Sequence, residues 1–426
     1  MIPDEGVGEE QAVYEYSRFL AAYASDPNDV KCVAHLHCPT LSAAVAADMS
    51  ASATNQSLDS WDQAPGASLI EARVCQALAA LVYPDAATPD AIATTGATES
   101  NFVAILLARE GARRAGMKMR VVCGENAHHS IARAAWLAGV EPPVMIRSTA
   151  GKLDVEHAEH VLKSEQPGEQ TLMVVTAGTT DTGSIDPLAP IADLSRKYGF
   201  DIHVDAAYGG PLILCDAYAH NLRNIDRSVT VAMDFHKFGW QPISCGVLVV
   251  HNREYLQPLE VTAEYLNSKD DVGRGFPDML GRSIRTSRRP DLFKLATTLR
   301  ATGRLGFERM IAACFAAAEL LADAINADSN FVLWFGQRDL TTVLFRLPDM
   351  GRTPEISDNI VAEVRRRLLE NGSAVLGRAR TQDNDGQMRL WFKITVLNPK
   401  LNLQDIEAIL GAIVRESSSV SDGLAV

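Results

Sequence analysis

Five short segments carry residues whose types and positions suit chemistry at a common site. In DFHKFGW, residues 234–240, Lys237 follows the apolar run SVTVAM and is flanked by His236, Phe238 and Trp240. A lysine at the end of a buried strand can shed the solvation of its ammonium and become a usable amine, able to form a Schiff base. The same pattern arises where a lysine only lays its stem over aromatic rings. In HVDAAYGG, 32 residues upstream, Asp205 ends the apolar strand FDIHV. A carboxylate there needs a cation or several donors. A protonated pyridinium nitrogen would serve and would become an electron sink, whereas a strand-end aspartate can also simply cap the turn after it.

The remaining three segments lie further upstream. In ATTGATESNF, Gly96, Ala97 and Thr98 open a helix whose free N–H groups and small side chains suit a phosphate; an ordinary capping box has the same composition. In ENAHHSIARAA, His128 and His129 follow the apolar run MRVVCG and could stack on a flat ring or only satisfy a loop. In VVTAGTTDTGSIDPL, Thr179 and Thr180 follow another apolar run. All five segments fall at the expected edges of one sheet, which is where α/β proteins bind ligands.

The elements that must position these residues follow from the apolar periodicity. Helices are expected near 67–82, 99–115, 131–139, 155–163 and 190–198, alternating with β-rich runs at MRVVCG, PPVMIR, QTLMVVTAG, FDIHVDAA and SCGVLVV, with YPDAATPDA as a loop. Strands alternating with helices predict a largely parallel sheet covered on both faces. After Pro290 a long helical pattern leads into NFVLWFG, LTTVLFRL, a helix near 356–370, MRLWFKITVL and a last helix over 402–415, before a polar tail. The expected organisation is an N-terminal segment over 1–67, a large domain over 68–290, and a linking helix with a smaller C-terminal α+β domain over 291–426.

Composition narrows the function classes. The 426 residues are 47% hydrophobic and 22% charged, with a formal charge of −13, an ordinary globular make-up. No basic run stands out that could neutralise nucleic-acid phosphates. The acidic start is unlike a secretory signal, and no apolar stretch is read as a membrane span. Seven cysteines without a CxxC pair suit a reducing compartment, and the expected location is cytoplasmic. No metal site is expected.

In this order, GATESN, AHHS, GTTDTGSIDP, HVDAAYGG and DFHKF resemble the group II pyridoxal-phosphate decarboxylases of fold type I, over about residues 33 to 400. The resemblance implies an aminotransferase-like α/β fold with a mainly parallel seven-stranded sheet, pyridoxal 5'-phosphate as cofactor, and a homodimer with active sites at the subunit interface and the N-terminal segment packed on the partner. It implies that Lys237 carries the cofactor, that His236 lies beside its phosphate, and that Gly96, Ala97 and Thr98 hold that phosphate. Asp205 would pair with the ring nitrogen, Ala207 and His128 would cover the two ring faces, and Thr179 would lie near a ring substituent. Lys237, His128 and Asp205 form the implied catalytic set.

The stretch from AHLHCP to SLIEARV, with LGRSIRTSRRPDLFKL and LWFKITVLNP, is similar to bacterial diaminobutyrate decarboxylases and to siderophore-pathway lysine and ornithine decarboxylases. His37 and Cys38 stand where aromatic decarboxylases place substrate-facing aromatics, with Thr40, Trp61 and Gln63 as further candidates. A basic diamino acid is therefore the expected substrate and a diamine the product. The alternatives are an aromatic amino-acid decarboxylase and an oxygen-using aldehyde synthase of the same fold. The expected mobile loop LNSKDDVGRGFPDMLGRSI lacks the tyrosine that aromatic decarboxylases use to return a proton to Cα, so that either another donor such as His128 serves or the intermediate lasts long enough to meet oxygen and yield an aldehyde; of Arg285, Arg288 and Arg289 after it, at least two are expected to brace the fold.

Overall fold

The structure is a computed structural model that describes residues 2–164 and 166–424. Its centre is a seven-stranded sheet. The strands are β1 (Asp90–Thr94), β2 (Lys118–Gly124), β3 (Val144–Ile146), β6 (Glu169–Thr176), β7 (Asp201–Ala206), β8 (Thr230–Asp234) and β9 (Gly246–Val250), in the order β1-β9-β8-β7-β6-β2-β3. A hairpin of β4 (Ser148–Thr149) and β5 (Lys152–Leu153) stands apart from it.

Six strands of the sheet run one way and β9 runs against them, antiparallel to both β1 and β8. Strands β1, β8 and β9 are buried along their whole length, as expected of strands covered on both faces. β1 is an element that the periodicity missed, because it is only five residues long and its first two, Asp90 and Ala91, still belong to the loop-like YPDAATPDA.

The parallel strands end at Thr94, Gly124, Thr176, Ala206 and Asp234, so the chemistry-bearing segments emerge together along one edge. Helix α1 covers Glu9–Tyr23, α2 Ser42–Thr54, α3 Pro65–Val82 and α4 Ala97–Arg114. α4 packs its apolar face on β8, β9 and β2 and aims its first turn at that edge. α1 buries none of its residues, leaving Tyr16, Phe19, Leu20 and Tyr23 exposed.

The helical pattern after Pro290 is one run, Asp291–Ala327, interrupted at Gly303, whose backbone is non-helical at φ 66°. Contrary to the reading that no stretch has the make-up of a membrane span, this helix is long and apolar enough to cross one by length and composition. Here it packs against α2 and α3, with Leu295, Phe307, Ile311 and Cys314 buried. It joins the sheet unit to a second sheet of β10 (Val332–Leu333), β11 (Thr342–Arg346), β12 (Gly377–Gln382) and β13 (Met388–Thr395), antiparallel in the order β10-β11-β13-β12. The last helix, Leu403–Leu424, extends well beyond the expected end at 415, into the tail read as polar and irregular; residues 425 and 426 lie outside the described residues.

Candidate active site

Eight of the expected site residues border one cavity of about 240 Å³ at the sheet edge: Gly96, Ala97, Thr98, His128, Asp205, Ala207, His236 and Lys237. Leu36, Thr176, Thr180, Asp234 and Ile243 border it too. Thr179 does not. Its hydroxyl lies 2.7 Å from that of Thr182, on the far side of the turn, and Thr180 takes the place at the cavity wall. His37, Cys38 and Thr40 also lie off the cavity wall. The Cys38 thiol is buried 3.3 Å from the His236 carbonyl, and burial pushes it up to about 12, so it stays a neutral thiol that packs the FHK turn.

Lys237 Nζ stands 3.1 Å from Asp234 Oδ2. The aromatic neighbours expected to desolvate it point elsewhere: Phe238 and Trp240 are fully buried, pack with Tyr208 and Phe307, and Trp240 Nε1 donates to the Leu397 carbonyl at 2.8 Å. The amine is therefore placed by a carboxylate three residues before it, not by an apolar sleeve. Asp234 Oδ1 in turn accepts from the Ala97 backbone N–H at 2.7 Å, joining the end of β8 to the start of α4. Gly246 makes this approach possible, since a Cβ there would lie 2.4 Å from Gly96 Cα.

Asp205 is buried at the end of β7, with Oδ1 accepting from Ala207 N at 3.1 Å and Oδ2 from Asn101 Nδ2 at 2.8 Å. The carboxylate fixes which way the Asn101 amide faces, because only its NH2 half can donate. Asn101 Oδ1 then faces His203 Nε2 at 2.9 Å, so that nitrogen carries the proton and Nδ1 accepts from the Thr230 hydroxyl at 2.8 Å. Burial pulls His203 down to about 4, so the ring is neutral.

The same NH2 group donates to Ser130 Oγ at 2.9 Å. His128 Nδ1 lies 2.8 Å from Ser130 Oγ and accepts from the Ser130 N–H, so the ring proton sits on Nε2. Burial holds His128 below the ordinary imidazole range, against the opposing pull of Asp205. One asparagine amide thus orients both Asp205 and His128. None of Asn101, Ser130, His203 or Thr230 stood out in the sequence as site residues; the available signal was polar residues inside otherwise apolar strand and helix faces.

The residues present fit a flat phosphorylated heterocycle. An amine, an acid and a helix start converge on one cavity, and the Thr176 hydroxyl beside Asp205 is buried with no hydrogen-bond partner. A buried hydroxyl left unpaired costs free energy unless a ligand satisfies it. The arginines after the loop all find carboxylates within the chain: Arg285 with Glu99, Arg288 with Glu71 and Arg289 with Asp48. Among the described residues no group of three or more His, Cys, Asp or Glu is placed to hold a metal ion.

Comparison with known proteins agrees with this geometry. Residues 2–348 match the model of the pyridoxal-dependent decarboxylase conserved domain. The chain is 37% identical over 422 residues to the L-2,4-diaminobutyrate decarboxylase of Rhizobium meliloti (strain 1021), covering 97% of this chain and 83% of that protein. It is 30% identical to the enzyme of the same name from Acinetobacter baumannii, covering 99% of this chain and 86% of that one. Among solved structures, the glutamate decarboxylase domain of a diaminobutyrate-pyruvate transaminase and L-2,4-diaminobutyrate decarboxylase from Vibrio parahaemolyticus superposes with a TM-score of 0.84 at 28% identity, over 98% of this chain and 87% of that one. The chain belongs to the pyridoxal-dependent decarboxylase family and is a pyridoxal-phosphate-dependent amino-acid decarboxylase.

Proposed function

We propose that the substrate is a basic diamino acid, with L-2,4-diaminobutyrate favoured over lysine and ornithine, and that a diamine and carbon dioxide are the products. The observation that carries the site reading is the convergence of Lys237 and Asp205 on one cavity that the first turn of α4 also lines. The substrate class is supported by the two relatives that are at least 30% identical over nearly the whole chain. When bound, pyridoxal phosphate supplies an electron-withdrawing ring that accepts the electron pair left when the Cα–carboxylate bond breaks.

The residues have separate tasks in this reading. Lys237 would hold the cofactor covalently through its amine. Gly96, Ala97, Thr98 and His236 seat the phosphate. Asp205, held by Asn101 and the Ala207 amide, faces the ring nitrogen. Ala207 and His128 cover the ring faces, and Thr176 and Thr180 supply the polar contacts first assigned to Thr179. The neutral His128, with its proton on Nε2, is the donor to Cα. Chain 1–67 contributes a strap onto a second copy in a cytoplasmic homodimer, a reading supported by the exposed apolar side chains of α1.

A panel of 2,4-diaminobutyrate, ornithine, lysine, glutamate and aromatic amino acids assayed for carbon dioxide release tests this. The expected result is turnover of diamino acids, with borohydride fixing the cofactor's mass on the Lys237 peptide. Strong turnover of aromatic acids alone would overturn the substrate class. Peroxide and ammonia forming in step with product would instead assign the oxygen-using reaction.

A further inference from the structure

Asp234 is a buried acid for which the reaction itself has no use. It is 3% exposed at the end of β8, and it holds at once the Ala97 N–H at the start of α4 and the Lys237 amine. His236 Nε2 lies 3.6 Å from Asp234 Oδ2, the same oxygen that faces Lys237. The helix start that suits a phosphate is therefore already occupied by an anion that belongs to the protein.

We propose that Asp234 is a built-in competitor for the phosphate seat, and that loading the cofactor draws about one proton onto the Asp234–His236 pair. The proposal rests on the reading that the cofactor phosphate sits at Gly96, Ala97 and Thr98. A phosphate monoester carries nearly two negative charges at neutral pH. Placed at that turn, it takes the Ala97 N–H away from Asp234. The cofactor's aldehyde carbon forms its double bond to Lys237 Nζ as one water leaves and the ammonium gives up one proton, which is open to the Asp234–His236 pair, so the three-donor cation that faced Asp234 is gone as well. Two anions then share a desolvated corner, and such a pair relieves its repulsion by taking up a proton.

The charges around this corner leave few other routes. His236 and Lys237 face Asp234 from the turn after its own strand, and Ala97 from α4. Across the cavity stand Asp205 at the end of β7 and His128. On the β9 side the Cys245 thiol is pushed up by burial and stays neutral, and Lys294 and Asp291 of the linking helix pair with each other at 3.5 Å behind it. Burial holds His236 below the ordinary imidazole range while Asp234 pulls it back up, so the ring is free to accept the proton.

The test uses the cofactor-free full chain and the Asp234→Asn variant, which keeps an oxygen for the Ala97 N–H. Calorimetric titration with pyridoxal phosphate in two buffers of different ionisation enthalpy counts the protons taken up. Inorganic phosphate, as a second probe, tests the seat without touching Lys237. For one linked proton, the wild-type dissociation constant for phosphate should rise by up to about tenfold per pH unit above neutrality. The variant should show a flatter dependence, at least about tenfold tighter phosphate binding at pH 8, and about one proton fewer taken up with pyridoxal phosphate. Equal proton counts and equal slopes in the two proteins would overturn the proposal.

Should the variant not fold, wild type alone decides. Proton uptake with pyridoxal phosphate must exceed that with pyridoxal, while the phosphorus resonance of the bound cofactor stays that of the dianion; no excess, or a monoanionic phosphate, refutes it. A protein that never gains the visible absorption of bound cofactor refutes the site reading itself, whereas one that gains it with equal proton counts for pyridoxal phosphate and pyridoxal refutes only the part played by Asp234.

Discussion

Asn101 and Asp205 meet side chain to side chain at 2.8 Å, and the other half of the same amide is held by His203 at 2.9 Å. The acid proposed to face the cofactor ring is thus aimed directly from α4, by an amide that His203 on the acid's own strand holds in turn. Replacing Asn101 by leucine removes the donor and leaves Asp205 and His203 underpaired in a buried place, at a cost of about 1–3 kcal/mol. Asn101→Asp sets a second carboxylate against Asp205. We expect both variants to weaken cofactor binding at least tenfold, the aspartate more, as read by titrating the stripped protein; unchanged affinity in both would remove Asn101 from the site.

His203 makes stability depend on pH. Its ionisation is depressed to about 4 by burial, while the unfolded chain binds a proton at the ordinary value near 6.5. Between those values the unfolded state holds more protons, so stability is full above about 6.5 and falls as the pH drops toward 4. The shift corresponds to a few kcal/mol, on the order of 3. Urea unfolding of wild type at pH 7 and pH 5 should show the loss, and His203→Gln should remove that share of it. A variant as acid-sensitive as wild type would argue that burial of His128 and His236 supplies the slope instead.

Thr176 gives a test in which stability and function part company. Its hydroxyl is buried without a partner, so Thr176→Val should leave the cofactor-free protein as stable or make it more so, by up to about 1 kcal/mol. The same change should weaken cofactor or substrate binding severalfold. A destabilised but fully active variant would place the hydroxyl's role in the fold alone.

The Arg288–Glu71 pair is almost wholly desolvated, with side chains 1% and 2% exposed. Arg288→Met strands a buried carboxylate and should cost about 3–5 kcal/mol, whereas the Arg288→Met, Glu71→Leu double variant should recover much of it. Denaturant midpoints of the four proteins in the cycle report the coupling. A near-zero coupling would mean that water reaches Glu71 once the guanidinium is gone.

Gly246→Ala asks whether β9 sets the turn at Gly96–Thr98 that we propose seats the phosphate. The added Cβ would meet Gly96 Cα at 2.4 Å and Thr94 Oγ1 at 2.6 Å, so the turn must shift. Cofactor affinity should fall by tenfold or more, with a lower melting temperature. Normal affinity would show that the strands separate there without moving Gly96 and Ala97.

From α3 onward the helix–strand alternation was legible in most long elements, whereas the N-terminal helices Glu9–Tyr23 and Ser42–Thr54 were not expected. The expected helices at 155–163 and 190–198 correspond to Val155–Leu162 and Leu188–Tyr198. It failed at the short edge strand Asp90–Thr94 and at the far end of the last helix, where Ser417, Ser418 and Ser419 return their hydroxyls to carbonyls one turn back instead of ending the helix. Aromatic residues beside Lys237 suggested a desolvated amine, yet the turn sends Phe238 and Trp240 into the core. Sequence adjacency says little about direction in a four-residue helical turn, since successive side chains point about 100° apart.

The sequence by itself determined which groups exist and roughly where the chain delivers them: an amine after one apolar strand, an acid at the end of another, a small-residue helix start before both. Their order along the chain pointed to one shared site, and the resemblance of the motifs to a known family supplied the reaction class. Only the tertiary structure decided what holds them. Asp234 touches Ala97 across 137 positions, and Asn101 touches Asp205 across 104. Hydrogen bonds of this kind depend on strand order and on atoms meeting within about 3 Å, and a local pattern in one dimension carries neither. The same reason moved the cavity contact from Thr179 to Thr180, because a turn can reverse which of two adjacent hydroxyls faces the ligand.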